Sequence, residues 1–229
     1  MNVRTGAKSG GSNLIEKGTD ARSFAERQGF REPERSVVIN TLTHFPDECQ
    51  SRGLFFLGLM DQLHRARGPQ AHRLVEELGL PTRVQNFGFV QHRDFYKLFF
   101  AAARLLHPGR SLEAGMEAIA ESFYPVFSTS LAGRTLAAML SRDPSSVLSR
   151  FVDAYRIACP WNEHAFEPSP SGAHRWRCRV EPCDYYPRII QGICRGMVRG
   201  VTGHEPSFLV LSRAVSPREH RYVFEVAIR

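Results

Sequence analysis

A chain of 229 residues is long enough for one large domain or two small ones. Its 30 Lys and Arg against 23 Asp and Glu give a formal charge of +7, and only Lys8, Lys17 and Lys97 are lysines. The arginines are scattered among acidic residues with no run of five like charges, so the clustered footprint of a nucleic-acid binder is missing. No stretch reaches the ~20 consecutive apolar residues that span a bilayer. The N-terminus lacks the apolar core and cleavage site of a signal peptide, which makes the cytoplasm the expected location.

In chain order, residues 1–35 are rich in Gly, Ser, Arg and Glu without a sustained period, and read as a flexible leader with a short helix near 19–28. Residues 36–229 are expected to form one domain. "SVVINTLT" (36–43) is β-branched and predicts a strand. A helical block then runs from about 45 to 158. "SRGLFFLGLMDQLHRA" is broken by Gly68-Pro69, and "QAHRLVEELGL" stops at Gly79. "HRDFYKLFFAAARLLHPG" is the clearest amphipathic run, with Phe95, Leu98, Phe99, Ala102 and Leu105 on one stripe. Ser111 opens the next helix, Pro125 should end or kink it, and Asp143-Pro144 starts another.

From about 160 the period changes. "EHAFEPS" and "HRWRCRVEP" alternate as a hairpin, a helix follows over about 184–201, and "SFLVLSRAV" and "HRYVFEVAI" form a second hairpin around Ser216-Pro217. The expected class is α+β: an N-terminal helical bundle packed with a C-terminal β-β-α-β-β antiparallel sheet unit. In "RIIQGICRGMVRGV", Gly192, Gly196 and Gly200 fall every fourth position, at a cost of roughly 1 kcal/mol each in a helix interior. They imply either close packing on one face or a cleared wall at a cavity or dimer interface.

No nucleophile elbow, Walker loop, dinucleotide fingerprint or zincin motif occurs, so no catalytic residue is assigned. Five cysteines without a secretion signal argue against a disulfide framework. Cys178 and Cys183, with His164, His174 and His204 near in sequence, are weak metal candidates beside the simpler reading of buried thiols. His64, His72, His92 and His107 read as surface or capping residues. His204-Glu205 reads as an acid–base pair or as a histidinium at a helix C-terminus. Around "FYPVFSTSLAGR", Tyr124, Phe127, Thr129 and Arg134 either cap a kinked helix junction or form a pocket mouth for an anionic head group. Tyr185, Tyr186 and Arg188 of "DYYPR" could line the same pocket.

The landmarks "RGLFFLGL", "EELGL", "FYKLFFAAARLLHPG", "EAIAESFYPVFSTSLAGRTLAAML" and "YYPRIIQGICRGMVRG", in that order, resemble an uncharacterised paralogous family of myxobacterial proteins. The helical block followed by β-β-α-β-β with a glycine-rich helix is distantly similar to haem–nitric-oxide-binding domains, vinyl-reductase-type domains and Golgi-tethering subunits. That resemblance implies a small-molecule or acyl ligand, or a dimeric scaffold. The Tyr-x-Ser-x-Arg motif of the haem members is absent, which argues against haem and leaves the cofactor unassigned. The expectation is a non-enzymatic regulatory module that binds a small apolar or amphipathic ligand and signals to a protein partner. The alternative is an interaction scaffold, or homodimer, docking through the glycine helix or the leader. A pocket of roughly 300 Å³ or more would separate the two.

Overall fold

The computed structural model describes residues 10–129, 143–168 and 173–228. The chain begins with an antiparallel pair of helices, α1 (Gly10–Arg27) and α2 (Glu34–His44). Two expectations are corrected here. Residues 10–27 of the supposed leader form a helix whose Ala21, Phe24 and Ala25 are buried in the core. The supposed strand at 36–43 is the body of α2. Helix propensities differ by only about 0.7 kcal/mol among ordinary residues. Burying Val38 and Leu42, one turn apart, is worth about 1.5–3 kcal/mol for each side chain and decides the matter. Arg93 holds the pair in place, donating to the carbonyls of Leu42 and Lys17 at 2.8 and 3.0 Å.

A short antiparallel ribbon, β1 (Gln50–Arg52) with β2 (Phe89–Gln91), brackets α3 (Gly53–Arg67) and α4 (Gln70–Glu77). It was not anticipated, because three-residue strands carry no usable period. Gly68 and Gly79 adopt positive φ at the ends of their helices, as expected of glycine stops. α5 (His92–Leu106) is the central helix, buried at His92 and at every position from Phe95 to Ala103. α6 (Leu112–Glu121) is capped by Ser111, whose hydroxyl accepts from the Ala114 amide. α7 (Phe123–Thr129) starts two residues later with Pro125 in its first turn, so the break falls before the proline rather than at it. α8 (Pro144–Ala158) begins at the expected proline, with Asp143 accepting from the Ser146 amide.

The C-terminal unit is β3 (Glu163–Glu167), β4 (Ala173–Val180), α9 (Tyr186–Thr202), β5 (Pro206–Val215) and β6 (His220–Ile228). The four strands are antiparallel in the order β3-β4-β6-β5. Alternation assigns His174, Trp176, Cys178 and Val180 of β4 to the inner face, with His220, Tyr222, Phe224 and Val226 of β6. The outer face carries Arg175, Arg177 and Arg179 beside Arg221 and Glu225. The α+β expectation holds: helices on one side, a sheet unit on the other, and α9 between them. One hydrophobic cluster runs through both, from Ala21 to Val226. No described helix is long and apolar enough to cross a membrane.

The glycine stripe faces the helical layer. A Cβ on Gly192 would run into the carbonyl oxygen of Glu117, and one on Gly196 into that of Glu121. A Cβ on Gly200 would stand 2.7 Å from the Tyr124 ring. All three positions are therefore filled by α6 and α7, and among the described residues the stripe lines no cavity. Arg195 and Arg199, beside it on α9, pair with Glu117 at 2.8 Å and Glu121 at 2.6 Å.

Candidate functional site

The centre of the molecule, where the helical layer meets the sheet unit, holds an ionisable cluster. β4 ends at Val180, and the next residue, Glu181, turns its side chain inward with 1% of its surface exposed. The first turns of α5 place His92 and Tyr96 on one face, four residues apart. Asn162, just before β3, closes the other side and is buried. The Tyr96 hydroxyl donates to Glu181 Oε1 at 2.6 Å, and Asn162 Nδ2 donates to Oε2 at 2.8 Å. His92 Nε2 lies 3.4 Å from Oε1. Burial alone would raise the Glu181 pKa. The charge and hydrogen bond of His92, with the Tyr96 hydroxyl, outweigh burial and hold it down at about 2.

Three polar atoms of this region are buried without a hydrogen-bond partner among the described residues: His92 Nδ1, Ser51 Oγ and Asn162 Oδ1. Beside them is a small cavity of about 20 Å³. Its polar end is Ser51, His92, Tyr96 and Glu181, and its apolar end includes Phe55, Phe95, Phe99, Phe123, Ile189 and Ile193. The Phe123 ring packs 5.6–6.2 Å from those of Phe55, Phe95 and Phe99, so aromatic side chains occupy most of the junction. What is left accommodates about one water molecule.

A larger hollow, about 540 Å³, lies open on the outer face of the sheet over Ala165, Ser212 and Val223. Arg177, Arg179 and Arg221 rim it. They are neutralised locally: Arg177 pairs with Glu167, Arg179 with Glu163 at 2.7 Å and Glu219 at 3.1 Å, and Arg221 with Glu219 at 2.8 Å. Such a face suits water as well as any anion.

The residues singled out from the sequence are dispersed. Tyr124 sits against Gly200 near the C-terminal end of α9, while Tyr185, Tyr186 and Arg188 sit at its N-terminal end. The two groups are separated by about 20 Å of helix, so the structure does not bring them into one pocket. Tyr186 is fully buried and stacks on Tyr222 with ring centroids 6.0 Å apart. Tyr185 is half-buried, which raises its hydroxyl pKa. Arg188 lies 3.7 Å from Glu117 and 3.9 Å from Glu113. The side chains of Phe127 and Thr129, and all of Arg134, lie outside the described residues.

Cys178 is on the inner face of β4 and Cys183 in the turn before α9. The described residues contain no group of three His, Cys, Asp or Glu side chains placed to hold a metal ion. His164 accepts from the Trp176 indole at 3.1 Å, and His174 lies 3.0 Å from the Ser145 hydroxyl. Glu205 is engaged with Arg199 at 2.5 Å rather than with His204.

His92, Tyr96, Asn162 and Glu181 are not marked as a site in the sequence, where His92 reads as a surface or capping residue; it does open α5, but buried. Tyr96 next to Phe95 on the strongest amphipathic run was the available signal. Glu181, in a turn before a proline, offered none.

The profile of a family described as "Protein of unknown function (DUF2378)" matches residues 47–222. No curated protein matches the chain in sequence. Solved H-NOX domains share its fold. An oxygen-binding H-NOX domain related to soluble guanylate cyclases, in its oxygen complex, superposes with a TM-score of 0.62 at 11% identity, over 78% of this chain and 95% of that one. A mutant Fe(II) unliganded H-NOX protein from K. algicida gives 0.54 at 13% identity, over 78% and 96%. An H-NOX structure concerned with heme distortion gives 0.52 at 14% identity, over 78% and 95%.

The residues present do not fit a haem. Among the described residues the cavity at this junction is about 20 Å³ as it stands, where ligand pockets begin at roughly 300 Å³.

Proposed function

The chain belongs to the DUF2378 family of proteins of unknown function, and from that membership and this fold we propose a non-enzymatic regulatory module of the cytoplasm. Its internal site at the junction of the helical layer and the sheet unit takes a small amphipathic ligand. The observation that carries this reading is the buried Glu181–Tyr96–His92–Asn162 cluster beside a small cavity, with Ser51 Oγ and His92 Nδ1 left unpaired next to it among the described residues. Unpaired buried polar atoms cost about 1–3 kcal/mol each, and a ligand's polar end would satisfy them. The aromatic end would receive its apolar part.

At about 20 Å³ the site must widen to take such a ligand, which requires Phe55 and Phe123 to move; these side chains belong to α3 and α7, the latter lying against the glycine stripe of α9. Occupancy therefore changes the seating of helices that reach the surface, where a protein partner reads it. A carboxylate held at about pKa 2 is a poor proton acceptor near neutral pH, which supports binding rather than acid–base catalysis. The whole of residues 10–228 is read as one domain, with α1 and α2 part of it.

The cavity's small volume favours a second reading, a protein-interaction scaffold with a filled core. Native mass spectrometry of the purified protein, followed by denaturation and solvent extraction, decides between them. A stoichiometric small molecule lost on denaturation supports the ligand module. For an apo preparation, a panel of fatty acids and acyl thioesters tested by thermal shift gives the second chance, and no shift with any of them moves the assignment to the scaffold.

A further inference from the structure

The two edges of the sheet differ in kind. β3 is five residues long, and its end residues Glu163 and Glu167 are both ion-paired to arginines of β4. A short, charged edge of this sort resists pairing with another strand. β5, at the other edge, is ten residues long, and no described element pairs with its outer side. Leu209, Val210, Leu211 and Val215 are 57%, 45%, 44% and 56% exposed. Leu209 and Val210 are successive, so apolar surface is exposed on both faces of the strand. The single charge in the strand, Arg213, is paired with Asp184 of its own chain. Against pairing β5 carries only Pro206 at its first position and an irregularity between Val210 and Ser212.

We infer that the β5 edge is a homodimer interface, at which a second copy's β5 adds antiparallel about a twofold axis and joins the two four-stranded sheets into one of eight strands. Only a strand can satisfy a row of backbone donors and acceptors along an edge. That strand must also bring apolar residues to both faces and no unpaired charge to meet Arg213. The second copy's β5 does so by construction: each face meets the same apolar residues, and each Arg213 is already neutralised by its own Asp184. The length suffices as well. Ten strand residues extend about 33 Å. Specific dimers bury about 600–1,000 Å² per partner, and exposed Leu209, Val210, Leu211 and Val215 supply apolar surface along this length on both faces of the strand. The inference is independent of the internal site, since it needs no ligand.

The test is sedimentation equilibrium of the full chain over a concentration series, beside the double variant Leu209→Lys with Leu211→Lys. Both positions are exposed, so the variant should keep its secondary structure and thermal midpoint. The expected result is a dimer for the parent protein and at least a tenfold weaker dimerisation for the variant. A parent protein that is monomeric up to about 100 μM overturns the proposal, and so does a folded variant that dimerises as well as the parent. Should the variant fail to fold, amide exchange of the parent protein replaces it. Amides of β5 must then become more protected as concentration rises through the dimerisation range, and concentration-independent exchange there overturns the inference.

Discussion

The Tyr96 hydroxyl meets the Glu181 carboxylate at 2.6 Å across the boundary between the helical layer and the sheet unit, 85 residues apart in the chain. A hydrogen bond to a charged group contributes about 1.5–3 kcal/mol, more than one between neutral groups. Tyr96→Phe should lower the unfolding free energy by that amount. Glu181→Leu leaves Tyr96, His92 and Asn162 without their shared acceptor and should cost more, roughly 3–5 kcal/mol. Urea denaturation of the two variants measures both. A Glu181→Leu protein as stable as the parent would mean that the cluster stabilises nothing as it stands.

Gly196 and Glu121 make the sharpest steric prediction. Alanine at 196 gains about 1 kcal/mol of helix propensity. Its Cβ would collide with the Glu121 carbonyl, a backbone atom that cannot swing aside. Overpacking of this kind costs about 1–3 kcal/mol and more where backbone must move. Gly196→Ala should therefore be destabilised by about 2 kcal/mol or more. Gly200→Ala should lose less, because its neighbour is the half-buried ring of Tyr124. A Gly196→Ala variant with a raised melting point would refute the close-packing account.

Acid should weaken the fold in two steps. Burial depresses the pKa of His164 to about 4, with the Glu181 charge opposing and Arg156 assisting. Its Nδ1 must stay unprotonated to accept from Trp176. The unfolded chain binds a proton near pH 6.5 that the folded chain refuses until about pH 4, so the stability is complete above pH 6.5 and lost on the way down. The loss is about 3 kcal/mol over that window. Glu181, with its folded pKa at about 2, adds a second loss between about pH 4.5 and 2. His174 and His220, whose pKa values burial also lowers, act in the same sense as His164. His164→Gln keeps an acceptor for the indole and removes the titration. Chemical denaturation at several pH values should then show a shallower dependence between 6.5 and 4, by about one proton.

The thiols should be inert. All five cysteines are buried, and burial raises the pKa of each, that of Cys183 to about 12. A thiol reagent at neutral pH should label none of them in the native protein and all five after unfolding. Fast labelling of even one would reveal an opening that the closed core does not provide.

Much of this architecture was legible in the residues. Period and punctuation located the helices from α3 to α6, the α8 start at Asp143-Pro144, and the β-β-α-β-β order, because each of these segments carries its own local signal. Two segments misled. The β-branched "SVVINTLT" folds as α2, and residues 10–27 fold as α1, since what settles them is the apolar face that each buries in the shared core, with Ala21, Phe24 and Ala25 of α1 and Val38 and Leu42 of α2.

The site is the part that was hidden. Tyr124, Tyr185 and Arg188 are noticeable in the sequence, yet the length of α9 separates Tyr124 from the other two. His92, Tyr96, Asn162 and Glu181 are not noticeable, yet the fold gathers them around one carboxylate. The sequence alone determined the helices from α3 to α6, the β-β-α-β-β order of the C-terminal unit, and the four-residue spacing that lets α9 lie on α6 and α7. Tertiary structure alone decided which polar groups share the low-dielectric centre, because hydrogen bonds and charge interactions act over a few ångströms of space and take no account of 85 residues of chain.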